Sequence, residues 1–308
     1  MTTPALRPLS ATTWAWMHDR TDWGFSNCGL VVSGGDALLV DTQFTLAATR
    51  QLLAAVDEVA PGVPVSTVVN THGNGDHTWG NALVAGAEVV TSEACSGGLC
   101  HEMGPEQLTA LAGSPPKNAA TSYISRHFGC FDFTGVSVEP PTRTFSGREE
   151  IKVGQVLVEL LDLGAGHSVG DVAVHVPSDA VVFAGDALFS GSHMVVWSGS
   201  LSGCVRACET LLATGAEWFV PGHGPVMGRA GVTAIRDQLS CVAEAAEAYA
   251  LTGVPLADAA RLIKAGHAGT WAHPERLFTQ TAAAYSEAGV SGVPSSTLAM
   301  VEGMAALA

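Results

Sequence analysis

Short β-branched apolar runs recur along the chain, each ending in Gly, His, Asp or Asn and each followed by a helical stretch. Residues 29–33 (GLVVS) and 37–41 (ALLVD) flank Gly34-Gly35-Asp36, which predicts two strands joined by a hairpin turn. Leu46, Leu53 and Val56 share one helical face, predicting a helix over 46–59 that Pro61-Gly62 stops. Residues 65–70 (VSTVVN) read as a buried strand running into THGNGDHTWGN, and 88–91 as another short strand. Residues 92–140 are broken by Gly97-Gly98, Pro115-Pro116 and Pro140-Pro141 and read as a partly helical excursion off the core. Strands joined near Gly154 are expected over 142–163, and the runs VELLDLGAGH, AVVFAGD and EWFVPGH predict strands that each end in a polar site. Ile235, Leu239, Val242, Ala246 and Tyr249 form one stripe of a helix over 233–250, with further helices expected near 256–265 and 274–288. Strands alternating with helices indicate an α/β fold. No repeat, linker or charge run marks a boundary, so residues 1–308 read as a single domain with C-terminal helices from about residue 229.

Composition narrows the partners. With 47% hydrophobic and 14% charged residues, the chain has the apolar content for a large core. The net charge of −15, without clustered Lys and Arg, excludes a phosphate-binding surface for nucleic acid and a polybasic membrane patch. No apolar run reaches the length of a spanning helix, and residues 1–20 hold no secretory h-region, so a cytoplasmic location is expected. The seven cysteines are too sparse for a disulfide scaffold and read as buried, reduced thiols. Cys95 with Cys100, and Cys204 with Cys208, are possible metal pairs without the usual close spacing.

Four predicted strands end in metal-ligand residue types. One delivers His72, Asp76 and His77, and the others deliver His167, Asp186 and His223. Ligand sites in α/β sheets gather outside strand ends. Imidazole with carboxylate suits zinc, and less exclusively iron or manganese. His18, His101, His127, His175, His267 and His273 lack such a setting and read as turn or core residues.

The motifs THGNGDH, GAGHSVGD, FAGD and VPGHGP, preceded by LLVDT at 38–42, resemble the five ordered motifs of the metallo-β-lactamase superfamily. The resemblance runs from about Asn27 to Gly228 and implies a four-layered αβ/βα sandwich with metals at one edge. It implies His72 and His167 as site-one ligands, Asp76, His77 and His223 as site-two ligands, Asp186 as the bridge, and Asp41 as a supporting aspartate. The family pattern has a third histidine where this chain has Asn74. A neutral amide is a poorer zinc ligand, so site one is weakened. A single zinc at site two, a loose pair, and a full pair with Asn74 as an oxygen ligand are all open; two zincs of uneven affinity is the expectation.

A narrower resemblance lies in THGNGDHTWGN, WAWMHDRTDWGFSNCGL and GSHMVVWSGS, which look like metallo-β-lactamase-fold cyclases of bacterial aromatic polyketide and antibiotic pathways. It implies a zinc-dependent cyclase closing a ring by aldol or dehydration chemistry on a polyketide intermediate. That intermediate could be presented by an acyl carrier protein, with thioester cleavage as a companion step. The alternative is a zinc-dependent hydrolase of a thioester, ester or lactam. Trp79, His193 and Trp197 stand beside the motifs and are expected to line the substrate pocket. Asp76 and His193 are the candidate catalytic residues, His193 being the freer base.

Overall fold

The computed structural model describes residues 4–18, 20–98 and 103–308. The first sheet takes its strands in chain order: β1 (Ala5–Pro8), β2 (Thr13–Met17), β3 (Cys28–Ser33), β4 (Asp36–Val40), β5 (Val65–Val69), β6 (Glu88–Ser92) and β7 (Arg143–Phe145). Pairing is antiparallel as far as β4 and parallel from there to β7. The second sheet runs in the order β12-β11-β10-β9-β8, built from β8 (Arg148–Val153), β9 (Val156–Gly164), β10 (Asp171–Val176), β11 (Val181–Phe189) and β12 (Trp218–His223). Its last pair, β11 with β12, is parallel.

Period-two alternation sorts the strand residues into layers. On β4, Leu38 and Val40 face the second sheet, where they meet Val158, Val174 and Val181. Ala37 and Leu39 face outward and pack with Leu52 and Val56 of α1 (Leu46–Val59). The Thr45 hydroxyl accepts the Ala48 N–H and starts that helix where its apolar stripe begins. On the far side, Ala173 and Val182 of the second sheet pack under α6 (Leu201–Ala213) and α7 (Arg229–Leu251). The result is helix, sheet, sheet, helix: the expected four-layered αβ/βα sandwich.

Gly34 and Gly35 both take positive φ, 61° and 82°, giving the two-residue turn between β3 and β4. The remaining helices are α2 (Gly75–Thr78), α3 (Glu93–Gly98), α4 (Pro105–Gly113), α5 (Ala119–Phe128), α8 (Leu256–His267), α9 (Leu277–Glu287) and α10 (Thr297–Leu307). Among the described residues, the excursion over 92–140 therefore carries three helices. Strands β1, β2 and β10 and helices α6 and α10 add to the predicted elements. Helix α7 begins at Arg229 rather than 233, and Pro274–Arg276 is a separate 3₁₀ turn before α9. No helix among the described residues is long and apolar enough to cross a membrane.

Candidate metal centre

Strand ends from both sheets converge on one cluster. The chain leaving β5 supplies His72 and then Asn74, which caps α2; that helix carries Asp76 and His77. His167 sits in the loop between β9 and β10, Asp186 lies inside β11, and His223 ends β12. Asp186 joins them. Its Oδ1 lies 3.2 Å from His77 Nε2 and 3.4 Å from His223 Nε2, and its Oδ2 lies 3.5 Å from His167 Nε2 and 3.8 Å from His72 Nε2. Asp76 Oδ2 is 3.4 Å from His223 Nε2 and 4.0 Å from His77 Nε2.

Each imidazole is oriented through its other nitrogen. His77 Nδ1 is 2.8 Å from Asp41 Oδ2, His167 Nδ1 is 2.8 Å from the Val195 carbonyl, and His223 Nδ1 is 3.2 Å from the Phe25 carbonyl. His72 Nδ1 lies 3.1 Å from Thr71 Oγ1, whose own hydroxyl donates to Asp41. With Nδ1 as the donor in all four, the Nε2 lone pairs point inward, as metal ligation requires. Asp41 holds its left-handed φ of 64° while its carboxylate also accepts the Thr71 N–H. Sequence reasoning gave Asp171 no role, yet its carboxylate accepts the backbone N–H groups of His167 and Ser168 and fixes that loop. Its place four residues after His167 was the available signal.

Asn74 is the unusual member. Its Oδ1 lies 2.8 Å from His72 Nε2 and 2.7 Å from His167 Nε2. An oxygen facing two imidazole lone pairs calls for a cation shared by all three. The same amide turned over offers one N–H to each lone pair, so the site closes on itself without a metal.

The donor set fits a divalent cation. Two groups of ligand atoms among the described residues come within 4.8 Å of one another: His72 with His77 and Asp186, and Asp76 with His77 and His223. His77 Nε2 and Asp186 Oδ1 are buried with no hydrogen-bond partner, which a cation between them would resolve. Burial pushes His77 down, but Asp186 and Asp41 outweigh it and hold the imidazole well above its ordinary value. His223 goes up to about 9, against burial and because of Asp186. Burial raises Asp186, yet His223, His77 and His167 hold it well below the usual carboxylate range. His72 is lowered, by burial first and His77 second.

A cavity of about 840 Å³, counting its open mouth, ends on this cluster at Asn74, Asp76, Asp186 and His223. Its walls are aromatic: Trp23, Phe44, Trp79, Tyr123, Phe128, Phe189 and Trp197. Phe44 stacks on Trp79 at 4.9 Å between centroids, and Trp23 leans on Trp197 at 5.7 Å. Trp79 and Trp197 both line this cavity. His193 is different: it is fully buried but does not line the cavity. Its Nε2 lies 2.9 Å from the Ala268 carbonyl and its ring packs on Trp271, so the expected base is committed to the C-terminal helices. The walls from Trp23, Tyr123 and Arg276 went unpredicted, because distant segments assemble them.

Burial raises the Cys204 thiol, and raises Cys208 to about 12, which disfavours thiolate ligation by that pair. Cys130 and Cys241 are exposed, against the expectation that the thiols are buried. Cys100 and His101 lie outside the described residues.

Known proteins resemble the chain in sequence and in fold. Over 198 residues the chain is 24% identical to 2,4-dinitroanisole O-demethylase subunit alpha of Nocardioides sp. (strain JS1661), covering 63% of this chain and 51% of that one, about half the relative's length. It is 26% identical over 240 residues to acyl-coenzyme A thioesterase MBLAC2 of Gallus gallus, covering 73% of this chain and 82% of the relative. Among solved structures, a metallo-beta-lactamase from Pontibacter korlensis superposes with a TM-score of 0.58 at 21% identity, covering 77% of this chain and 99% of that one. One from Erythrobacter litoralis gives 0.55 at 18% identity, covering 76% and 95%. At these identities the likeness is one of fold. The profile of the metallo-beta-lactamase superfamily matches residues 21–223, which hold every clustered ligand described above, and the chain belongs to that superfamily, whose members are mostly metal-dependent enzymes.

Proposed function

We propose that the protein is a zinc-dependent hydrolase that cleaves an ester or thioester on an aromatic substrate. The observation that carries this reading is the aromatic cavity ending on the His/Asp cluster. His72, His77, His167, Asp76, Asp186 and His223 would hold the metal, with Asn74 a weaker oxygen ligand. Bound zinc supplies a water acidified to a pKa of about 7 and polarises a carbonyl oxygen. The chain supplies the rest. Trp23, Trp79 and Trp197 seat the flat part of the substrate and exclude water from the scissile bond. Asp76, whose side chain is 15% exposed and lines the cavity, would orient the attacking water by a hydrogen bond to the carboxylate oxygen it does not give to the metal. The thioesterase name of one relative supports the choice of bond.

Ring closure on a carrier-bound aromatic polyketide is the second reading. The same aromatic walls favour it, since they suit a partly cyclised, ketone-rich substrate. The two readings separate by mass. Zinc-loaded protein is offered a benzoyl thioester, a phenyl ester, a β-lactam and a polyketone thioester, with and without chelator. Chelator-sensitive gain of water by the thioester or ester supports the hydrolase. Loss of water from the polyketone, with the simple substrates untouched, would replace it by the cyclase.

A further inference from the structure

Arg276 ends the 3₁₀ turn Pro274–Arg276, in the C-terminal segment beyond the family-matched residues 21–223. It is 1% exposed and lines the cavity that Asp186 and His223 floor. The centre of its guanidinium sits 4.1 Å from the centroid of the Trp23 ring and 5.4 Å from that of Phe189. Nη1 donates to the His193 carbonyl at 3.2 Å, while Nε is buried with no hydrogen-bond partner. Among the described residues the guanidinium makes no ion pair within 4 Å, and Glu275, Asp186 and Asp76 favour its charge only from further off. The adjacent Glu275 carboxylate is taken up elsewhere, by the Tyr123 hydroxyl at 2.9 Å and by His273.

A buried guanidinium that touches no carboxylate is unfavourable, even with these more distant charges favouring it, and an apolar side chain of similar volume would serve packing as well or better. The faces of Trp23 and Phe189 offset part of the penalty, but they offer Nε no acceptor. What the charge provides is a planar fork for an oxyanion.

We propose that Arg276 is a specificity-determining residue that receives an oxyanion, carboxylate or phenolate, carried by the aromatic substrate. The ring system lies against Trp23 and Trp197, the oxyanion meets the guanidinium, and the scissile bond reaches the His/Asp cluster. This deepens the hydrolase reading and rests on it for the position of the scissile bond. The oxyanion site itself is tested without turnover.

The experiment compares 1-naphthoate with its neutral isostere, 1-naphthamide, by quenching of tryptophan fluorescence in the full-length protein. Metal-free protein is the deciding arm, because a carboxylate also binds zinc. Wild type should prefer naphthoate by about tenfold or more. Arg276→Gln should abolish the preference while binding naphthamide as before, and Arg276→Lys should keep a reduced preference. Circular dichroism checks that the variants are folded; if Arg276→Gln is not, Arg276→Lys decides, since its preference must fall below that of wild type. Equal affinities in wild type, no saturable naphthoate binding, or a variant with the full preference would overturn the proposal. That failure leaves chelator-sensitive hydrolysis standing, whereas intact Arg276-dependent binding in a protein that hydrolyses nothing overturns only the hydrolase reading.

Discussion

Asn74 should decide how many metal ions the cluster keeps. In the family pattern an imidazole would stand there, and the amide that replaces it can turn its N–H groups to His72 and His167 and satisfy both without a cation. Wild type should therefore hold one zinc firmly at Asp76, His77 and His223 and lose a second on dialysis. Asn74→His removes the self-closing arrangement and restores a stronger ligand, so zinc retained after dialysis should rise from about one per chain towards two. Elemental analysis reads this directly, and equal retention in both proteins would show that the amide does not govern site one. The members of the His/Asp cluster were legible in the sequence because chemistry restricts candidate ligands to a few residue types, and those types recur at the ends of apolar runs. The fate of His193 was not: its loop follows Asp186, but the direction of its ring is set by the carbonyl of Ala268, 75 residues further on. Arg276 was still less legible, a lone arginine whose meaning comes only from the Trp23 ring beneath it.

At the level of elements, the centre depends on how closely β11 and β12 approach. They pair in parallel with register shifts on either side of Gly185, which takes a positive φ of 52°. Gly222 on β12 faces Asp186 so closely that a Cβ there would overlap Oδ1 and crowd the Gly185–Asp186 backbone. Gly222→Ala should displace the carboxylate that joins four histidines. The expected outcome is a folded protein, destabilised by about 1–3 kcal/mol from overpacking, with reduced zinc content. Denaturation and elemental analysis should be run side by side; unchanged zinc with unchanged stability would mean the strands separate without disturbing Asp186. Elements with a clear period were readable: α1 from its stripe, and the β3–β4 hairpin from two glycines. Strand β10 was hidden because DVAVHV is buried throughout and follows directly on the loop of His167. Helix α10 carries apolar residues nearly all round, so no face stands out. Strands β1 and β2 are short, and the edge strand β1 ends in Pro8, which reads against a strand.

The whole molecule builds the cavity from parts that are far apart in sequence. The two-sheet core provides the floor, α4 and α5 one wall, and the C-terminal segment with Arg276, Thr297 and Val301 another. A buried chain of hydrogen bonds ties these parts together: Trp23 Nε1 donates to the Tyr123 hydroxyl at 3.0 Å, and Tyr123 donates to Glu275 Oε1 at 2.9 Å. Burial pushes the tyrosine up, and Glu275 adds to that, so the phenol remains a donor. Burial also pushes the Glu275 carboxyl up, but hydrogen bonds from His273, from its own backbone N–H and from Tyr123 outweigh it and bring it down from 4.5 to about 2. A carboxyl depressed on folding contributes stability that is fully present above its unfolded value and is lost as pH falls through its folded one. Glu275 should thus add about 2 kcal/mol at neutral pH once solvent screening is allowed for, with more than half gone by about pH 3. Glu275→Gln keeps the shape and an acceptor for Tyr123 but removes the charge. Urea denaturation of metal-free wild type and variant at pH 7, 5, 4 and 3 should show a gap that is constant from pH 7 to 5 and then narrows. A gap that stays the same down to pH 3 would assign the link between α5 and the C-terminal segment to packing rather than to the carboxylate.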